Sequence, residues 1–470
     1  VGSEMCIRDR FEATSYGFRP GRSTHDAMAK IFKPIMGQDA KKVWIVEGDI
    51  RGCFDNIGHT PLLEKLGNYP GHHLIEKWLN AGFMESNKFY ETKSGTPQGG
   101  IISPLVANIA LDGIETTLGI QYTWQSDKRK PNGGYWINKT NRTLVRYADD
   151  FVILTESEEL ARECKEIISN ELHKRGLELS EEKTKITHLK DGFDFLGWNF
   201  RRYDCTTRSK GEITIIKPSK KSVADFIDRL REVFKELRGQ NQAAVIQKLN
   251  PIIRGWANHH KAVCSKSTFA KIDSYIFTKL WKWARRTYKK KSKKWITRNC
   301  FGNFCPGRKD RWVFGYTAKD NDGKATVHYL EKLAWTAITR HTLVTHKNSP
   351  HDPSLREYWE KRQRKNEETR AIQQLAKGKC KVAKSTDYKC RWCGEHISSE
   401  GYLNVQLHHI IPIKEGGKDK YDNLMLMHSE CHRQVTTKGE TKPETLKRLG
   451  VTINSKGKVN KNPKRSHVKC

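Results

Sequence analysis

Two short apolar runs, Leu144-Val145-Arg146-Tyr147 and Phe151-Val152-Ile153-Leu154, flank Ala148-Asp149-Asp150, and this arrangement restricts the fold more than any other feature of the chain. The separation is hairpin spacing, and the runs have the length and residue types of buried strands. Two aspartates therefore sit at a turn between buried strands. A third run, Val43-Trp44-Ile45-Val46, predicts another buried strand that leads to Asp49.

From Phe11 to about Phe200, such runs alternate with helical patterns, as in a mixed α/β domain. Thr60 before Pro61, and Ser103 before Pro104, read as N-caps with proline at the first helical position. Thr155 with Glu158 predicts a capping box for a helix that buries Leu160, Cys164, Ile167, Ile168 and Leu172 and stops at Gly176. Residues 121–141, with Pro131-Asn132-Gly133-Gly134, are polar and predict a surface loop. Beyond Phe200, helical segments dominate.

A chain of 470 residues is too long for one core and predicts two to four domains. Lys and Arg number 86 against 53 Asp and Glu, a net charge of +33. A surface charged for solubility alone mixes signs and carries about 2 to 8 net charges in a small domain, so this excess points to a polyanionic partner. It is densest over 281–298, where nine basic residues and four aromatics occur without an acidic one. No apolar stretch is long enough for a membrane helix, and residues 1–10 lack the apolar core of a signal peptide, so the expected location is a reducing interior rather than the exterior. Cysteines there are ordinary thiols or metal ligands, and Cys390-x-x-Cys393 reads as the latter. Residues 346–385 read as a charged basic linker that could contact DNA, and 437–470 as a disordered lysine-rich tail.

Phosphoryl transfer to a growing strand uses divalent ions, hence clustered carboxylates. Asp49, Asp149 and Asp150 are placed to supply them, and three such groups would take up protons unless Mg²⁺ compensated their charge. An isolated Asp-Asp is more often only a turn.

The surrounding blocks decide otherwise. Tyr147-Ala148-Asp149-Asp150 between two apolar strands resembles the catalytic hairpin of group II intron reverse transcriptases. Gly17-Phe18-Arg19-Pro20-Gly21-Arg22-Ser23, Asp49-Ile50-Arg51-Gly52-Cys53-Phe54-Asp55, Thr96-Pro97-Gln98-Gly99-Gly100 with Ser103-Pro104-Leu105, Glu181-Glu182-Lys183-Thr184-Lys185, and Phe195-Leu196-Gly197-Trp198 resemble further blocks of that family, in its order. The resemblance implies an α+β multidomain protein with a right-hand polymerase palm and fingers over 11–200. It implies Mg²⁺ on Asp49, Asp149 and Asp150, and substrate contacts from Arg19, Phe54, Gln98, Gly99 and Lys183. Phe54 is similar to the family's gate against a ribose 2′ hydroxyl, although an aromatic there serves a core equally well. Lys183 is similar to a proton donor to pyrophosphate, or is a solvated surface lysine. The family's first fingers blocks precede the Gly17 block, so the chain is expected to be truncated at its amino end, with residues 1–10 foreign to the family.

Ile252-Ile253-Arg254-Gly255-Trp256-Ala257-Asn258-His259-His260 resembles the start of the family's maturase region, which implies an α-helical thumb over 201–345. Arg285, Arg286, Lys289, Lys290, Lys291, Lys293 and Lys294 are candidate contacts to RNA phosphates, while Trp281 and Trp283 are either base-stacking platforms or thumb core. Toward the carboxyl end, Cys390, Cys393, His428 and Cys431 form two knuckles able to hold one Zn²⁺. Between and beside them, His408-His409, Asn423 and His432 resemble the His-Asn-His nuclease motif. That resemblance implies a small ββα-metal domain over 386–436, with a hydrolytic divalent ion on His408 and His432, His409 as general base and Asn423 as its support. Without it, a zinc module used only for binding remains.

Together the resemblances imply a group II intron-encoded protein that binds its intron RNA and promotes splicing, cuts target DNA with its nuclease, and extends the cut end with dNTPs. It would work in a bacterial cytoplasm or an organellar matrix. The rival is a splicing-only maturase whose polymerase is inactive because the fingers are truncated.

Overall fold

The computed structural model describes residues 11–37, 39–92, 94–96, 102–127, 134–207, 211–305, 308–319, 325–363, 377–397, 405–439, 441–453 and 459–461. The chain divides into two compact units, Val1–His351 and Asp352–Cys470.

The first unit is organised by a four-stranded antiparallel sheet, in the order Arg142–Tyr147, Asp150–Thr155, Trp44–Gly48, Lys185–His188. The hairpin expected around Asp149 is present, with Leu144 opposite Ile153, Val145 opposite Val152 and Tyr147 opposite Asp150. Apart from Thr143, Arg146 and Thr155, its buried positions are apolar on both faces, because both faces of the sheet are covered. Leu144, Phe151 and Ile153 join the core beneath the helices Ser103–Leu111 and Glu158–His173. Val145, Val152 and Leu154 join a second core with the helix Thr24–Ile35, Trp198 and Phe200.

The helix Glu158–His173 buries Ala161, Cys164, Ile168 and Leu172, a spacing of three and four that makes one stripe. Its N-cap is Ser157, whose Oγ accepts from the Leu160 amide at 3.2 Å. The expected cap, Thr155, instead ends the strand and donates its hydroxyl to the Ser157 carbonyl. Thr60 is not a cap either: its helix is His59–Leu66, with Gly58 at the cap position. Nor is Ser103 the cap: it is the first residue of the helix Ser103–Leu111, with Ile102 at the cap position and Pro104 in the first turn.

Residues 121–141 are not wholly a loop. Tyr122–Ser126 pairs with Gly134–Asn138, and Trp124 meets Trp136 across the ladder with ring centroids 5.6 Å apart. The polar residues between the aromatics masked a strand whose pairing rests on cross-strand rings. Pro131, Asn132 and Gly133 lie outside the described residues.

After a three-stranded sheet of Phe193–Phe195, Trp198–Asp204 and Glu212–Pro218 come the helices Lys220–Glu236, Gln242–His260, Lys266–Thr287 and Lys293–Cys300. These four pack around Leu230, Leu249, Ile253, Phe269 and Ile272. A small sheet, Phe301–Gly302 with Val313–Lys319 and Ala325–Tyr329, follows them. No helix among the described residues is long and apolar enough to cross a membrane.

In the second unit the strands Val405–His409 and Leu424–His428 pair antiparallel and the helix Ser429–Lys438 follows. Two expectations need correction. The helix Lys377–Ser385, assigned by sequence to the linker, gives Val382 and Ala383 to this core. The tail after 437 is not disordered throughout: the helix Pro443–Leu449 and the paired strands Val451–Ile453 and Val459–Lys461 bury Leu449, Val451 and Val459. Its lysine-rich composition hides three apolar anchors, and a few buried side chains are enough to order a short segment. Residues 364–376, 454–458 and 462–470 of these two regions lie outside the described residues.

Ile153 is fully buried at the centre of the sheet. Ile153→Ala should cost about 2 to 5 kcal/mol, from lost transfer energy and the cavity left behind. Urea unfolding followed by circular dichroism checks this: a parental midpoint would remove the strand from the core.

Candidate metal and nucleic-acid sites

Asp49 immediately follows the strand Trp44–Gly48, and Gly48 pairs with Phe151 next to the hairpin turn. A Cβ at Gly48 would lie 2.1 Å from the Phe151 ring, so only glycine lets the two strands close at this point. In the turn, Ala148 has φ +58°, a left-handed conformation. Lys183 reaches the same place from the third segment: its Nζ is 2.9 Å from Asp49 Oδ2, and the Ser180 amide donates to the Asp49 carbonyl at 2.9 Å. The pKa of Asp150 is pushed up to about 6 by partial burial of its carboxyl, then by the charges of Asp149 and Asp49, with Lys183 opposing. Its side chain nevertheless stays open to a groove of about 610 Å³ that is also lined by Asp194, Leu196, Gly197, Ser219 and Arg229. A carboxylate held beside two others is part of a donor set whose repulsion a hard divalent cation relieves, so these residues fit such an ion.

The other polymerase candidates are placed differently. Phe54 is half-buried against the first core, with its ring edge-on to Phe18 at 6.5 Å. Arg19 is buried, and its Nη1 donates to the carbonyls of Glu12 and Ser15 at 2.6 and 3.0 Å. The guanidinium thus organises the loop after Phe11 instead of meeting a substrate. Gln98, Gly99 and Gly100 lie outside the described residues.

On the helical region, Arg285, Arg286, Lys289, Lys290, Lys291, Lys293 and Lys294 are all exposed. Trp283 is core: it is 5 % exposed, and its Nε1 donates to the Leu237 carbonyl at 2.9 Å. Trp281 packs against the same core. A groove of about 840 Å³ joins Arg286 and Lys289 to Arg231, Lys235, Arg238 and Lys279, with no acidic side chain among the described residues that line it. Sequence reading missed these four because they lie outside the dense run. Their signal was the spacing of Arg231, Lys235 and Arg238, which repeats along one face of a helix end.

In the second unit, the ligand atoms of Cys390, Cys393, His428 and Cys431 all lie within 4.8 Å of one another. His428 Nδ1 is 3.4 Å from Cys393 Sγ, and its Nε2 is 3.2 Å from the His396 carbonyl. A carbonyl that accepts a hydrogen bond from Nε2–H keeps the proton on Nε2 and leaves the Nδ1 lone pair facing the thiols, the orientation of a metal-binding imidazole. Burial and then the neighbouring Cys390 and Cys393 push the Cys431 thiol up, a crowding that zinc would reverse.

A second cluster lies on the strand Val405–His409. His408 is 1 % exposed, and neither ring nitrogen has a hydrogen-bond partner among the described residues. Burial, helped by His432 and His409, lowers its pKa to about 4, so the ring is neutral with a lone pair to offer. The ring of His432, on the helix Ser429–Lys438, is edge-on at 5.2 Å. Strand alternation turns His409 to the other face, where its Nε2 is 3.3 Å from Asp419 Oδ1. Asn423, 6 % exposed, closes the intervening loop: its amide donates to the carbonyls of Ile411 and Lys418, and its Oδ1 accepts from the Ile411 amide at 2.8 Å. Asp419 was not foreseen, since a lone loop aspartate carries no sequence signal.

Residues 3–200 match the reverse transcriptase (RNA-dependent DNA polymerase) family, residues 223–301 the group II intron maturase-specific domain, and residues 390–438 the HNH endonuclease family. The chain is 34 % identical over 262 residues to the group II intron-encoded protein LtrA of Lactococcus lactis subsp. cremoris, covering 45 % of this chain and 43 % of that one. It is 27 % identical over 401 residues to the uncharacterized 91 kDa protein in cob intron of Schizosaccharomyces pombe (71 % and 48 %), and 31 % identical over 223 residues to protein YkfC of Escherichia coli (42 % and 57 %). The chain thus spans about half the length of these curated relatives. Among solved structures, telomerase from Candida albicans with a fragment of telomeric RNA aligns at 13 % identity over 63 % of this chain and 55 % of that one, with a TM-score of 0.35 that is too low to argue from.

The matches define a reverse transcriptase-family segment of mixed helix and strand, followed in the chain by an HNH-family segment. With the maturase-specific segment between them, the chain has the domain set of a group II intron-encoded reverse transcriptase/maturase with a carboxyl-terminal HNH endonuclease domain.

Because ligand carboxylates must be ionised, a proton on Asp150 competes with a cation. Affinity for Mn²⁺ used as a probe should fall as pH drops through about 6, by about tenfold between pH 8 and pH 5 for one competing proton. Asp150→Asn should remove this part of the pH dependence. An identical pH profile in the variant would take Asp150 out of the cation site.

Proposed function

We propose that this chain is the working part of a group II intron-encoded protein: an RNA-directed DNA polymerase, an intron RNA-binding maturase that promotes splicing, and an HNH DNA endonuclease that provides the primer end for copying. The observation that carries this reading is the approach of Asp49, Asp149, Asp150 and Lys183 from three separate segments, near enough that Asp149, Asp49 and Lys183 act on the charge of Asp150, beside an open groove. In this reading 11–200 are palm and fingers, 201–345 the thumb and maturase region, and 346–385 a basic link to a zinc-stapled ββα-metal nuclease. The partners are the intron RNA, target DNA and dNTPs, in a bacterial cytoplasm or an organellar matrix.

Asp49, Asp149 and Asp150 would hold Mg²⁺, which when bound activates the primer 3′ oxygen and stabilises the leaving pyrophosphate. Lys183, already charged beside Asp49, would neutralise the departing group or give it a proton. Phe54 would limit room at the sugar, and Gln98 and Gly99 would approach the nucleotide. A splicing-only maturase would have no use for three carboxylates and a lysine gathered in this way.

In the nuclease, His409 would take the proton from the attacking water, oriented by Asp419 and by the loop that Asn423 closes. His408 and His432 would hold the hydrolytic ion, and Cys390, Cys393, His428 and Cys431 a structural zinc.

The two chemistries should fail separately. Asp149→Ala should abolish primer extension on an RNA template while leaving DNA cleavage intact, and His409→Ala should do the reverse while keeping its zinc. Cys393→Ser should lose both zinc and cleavage, as read by metal analysis and a plasmid-nicking assay. Cleavage by His409→Ala at the parental rate would return the module to a binding-only zinc unit.

RNA affinity should fall steeply with salt, with a log–log slope close to the number of phosphates contacted. Neutralising Lys289, Lys290 and Lys291 to Gln should lower that slope by about two to three. Filter binding across a salt series checks this, and an unchanged slope would move the RNA surface elsewhere.

A further inference from the structure

Behind the aspartate turn lies a charge that neither sheet packing nor the cation site explains. Arg146, 1 % exposed, belongs to the strand Arg142–Tyr147 and pairs with Phe151, on the face that otherwise carries Leu144 and Ile153. A guanidinium is costly to bury, and an aliphatic side chain would serve packing better. Glu12 and Asp112 supply the compensating charge, yet Nε and Nη2 of Arg146 find no hydrogen-bond partner among the described residues. What the side chain does is donate from Nη1 to the Ala148 carbonyl and to Asn108 Oδ1, each at 3.1 Å.

Both partners lead back to the turn. Ala148 immediately precedes Asp149 and holds the left-handed φ of +58°, which a residue with a side chain keeps only when its surroundings impose it. Asn108, 2 % exposed on the helix Ser103–Leu111, passes the link on by donating its Nδ2 to the Gly17 carbonyl at 3.0 Å. Gly17 lies against the turn itself, where a Cβ would stand 2.3 Å from the Ala148 nitrogen. Main-chain bonds from Tyr16 N to Arg146 O and from Arg146 N to Thr14 O, at 2.9 and 3.0 Å, fix this loop to the strand.

We propose that Arg146 is a positioning residue of the polymerase centre: together with Asn108 and Gly17 it locks Ala148 in the conformation that aims Asp149 and Asp150 toward Asp49. The inference rests on the polymerase reading given above. It explains why a cation is buried here, since one planar donor group reaches the turn carbonyl and the helix amide together and a flexible ammonium would not hold the same geometry.

The test uses the full chain with Arg146→Lys and Asn108→Ala, and with Asp149→Ala as control. Folding is followed by circular dichroism, Mn²⁺ affinity is measured without nucleic acid, and primer extension is measured over a Mg²⁺ series. Arg146→Lys and Asn108→Ala should stay folded, bind Mn²⁺ at least about tenfold more weakly, need correspondingly more Mg²⁺ and lose kcat, while KM for primer–template stays within about twofold. Should Arg146→Lys fail to fold, Asn108→Ala decides alone, since it removes the link without removing the charge. If Asp149→Ala loses Mn²⁺ binding and extension while Asn108→Ala and a folded Arg146→Lys keep parental values, the positioning role is overturned and the polymerase reading stands. If Asp149→Ala itself keeps both, the polymerase reading fails and the positioning role falls with it.

Discussion

The pairing of the strand Trp44–Gly48 with Asp150–Thr155 is the contact on which the first unit depends. It joins segments about a hundred residues apart, and the register of Gly48 with Phe151 fixes where Asp49 arrives relative to the hairpin turn. Because strand side chains alternate with a period of two, a slip of one residue would exchange the two cores, so the register is enforced by every buried residue along the ladder. On its other edge the same strand pairs with Lys185–His188, which draws Lys183 toward Asp49. One central strand thus aligns the charged groups of the candidate cation site, and their placement has the precision of the sheet.

The second unit solves a similar problem with less chain. Two strands and a helix carry His408, His409 and His432, and a period of two separates the buried imidazole from the one beside Asp419. Asn423 ties the long connection between the strands to its own start, so the loop cannot drift away from His409. The thiol cluster clamps the strand end, the helix start and the knuckle at Cys390 to one point. Small domains gain little stability from their cores, and a metal joining three segments would replace what a larger core supplies.

Much of this was legible in the sequence wherever the signal is local. The aspartate hairpin, the helix Glu158–His173 and each cysteine knuckle are specified by short local segments, and periodicity or spacing reveals them. What stayed hidden depends on partners distant in the chain. Trp283 could have been a stacking platform until its indole N–H donated to the buried Leu237 carbonyl, and Arg19 could have met a substrate until the carbonyls of its own loop surrounded it. Composition misled in the same way over Trp124 and Trp136 and over Leu449, Val451 and Val459, because average polarity says little about a few apolar residues that find each other. Asp419 and Arg231 had no readable role alone, and acquired one only from what stands opposite.

The distribution of charge fits a protein that must bring one polyanion to another set of negative charges. A net charge of +33 creates an attractive field around the molecule, which concentrates nucleic acid at its surface. Carboxylates left bare in that field would repel an approaching phosphate. Lys183 offsets the charge of Asp49, and a carboxyl group with a pKa near 6 can carry a proton part of the time until a cation displaces it. The exposed lysines after Arg285 flank a groove beside Arg231 whose lining, among the described residues, has no acidic side chain, although Arg231 and Lys235 are paired with Asp228 and Glu232 on their own helix. In the proposed reading, attraction and chemistry fall to different surfaces: the helices would hold the polymer through its phosphates, and the sheet would present the few anionic groups that the reaction needs, already partly neutralised by their neighbours.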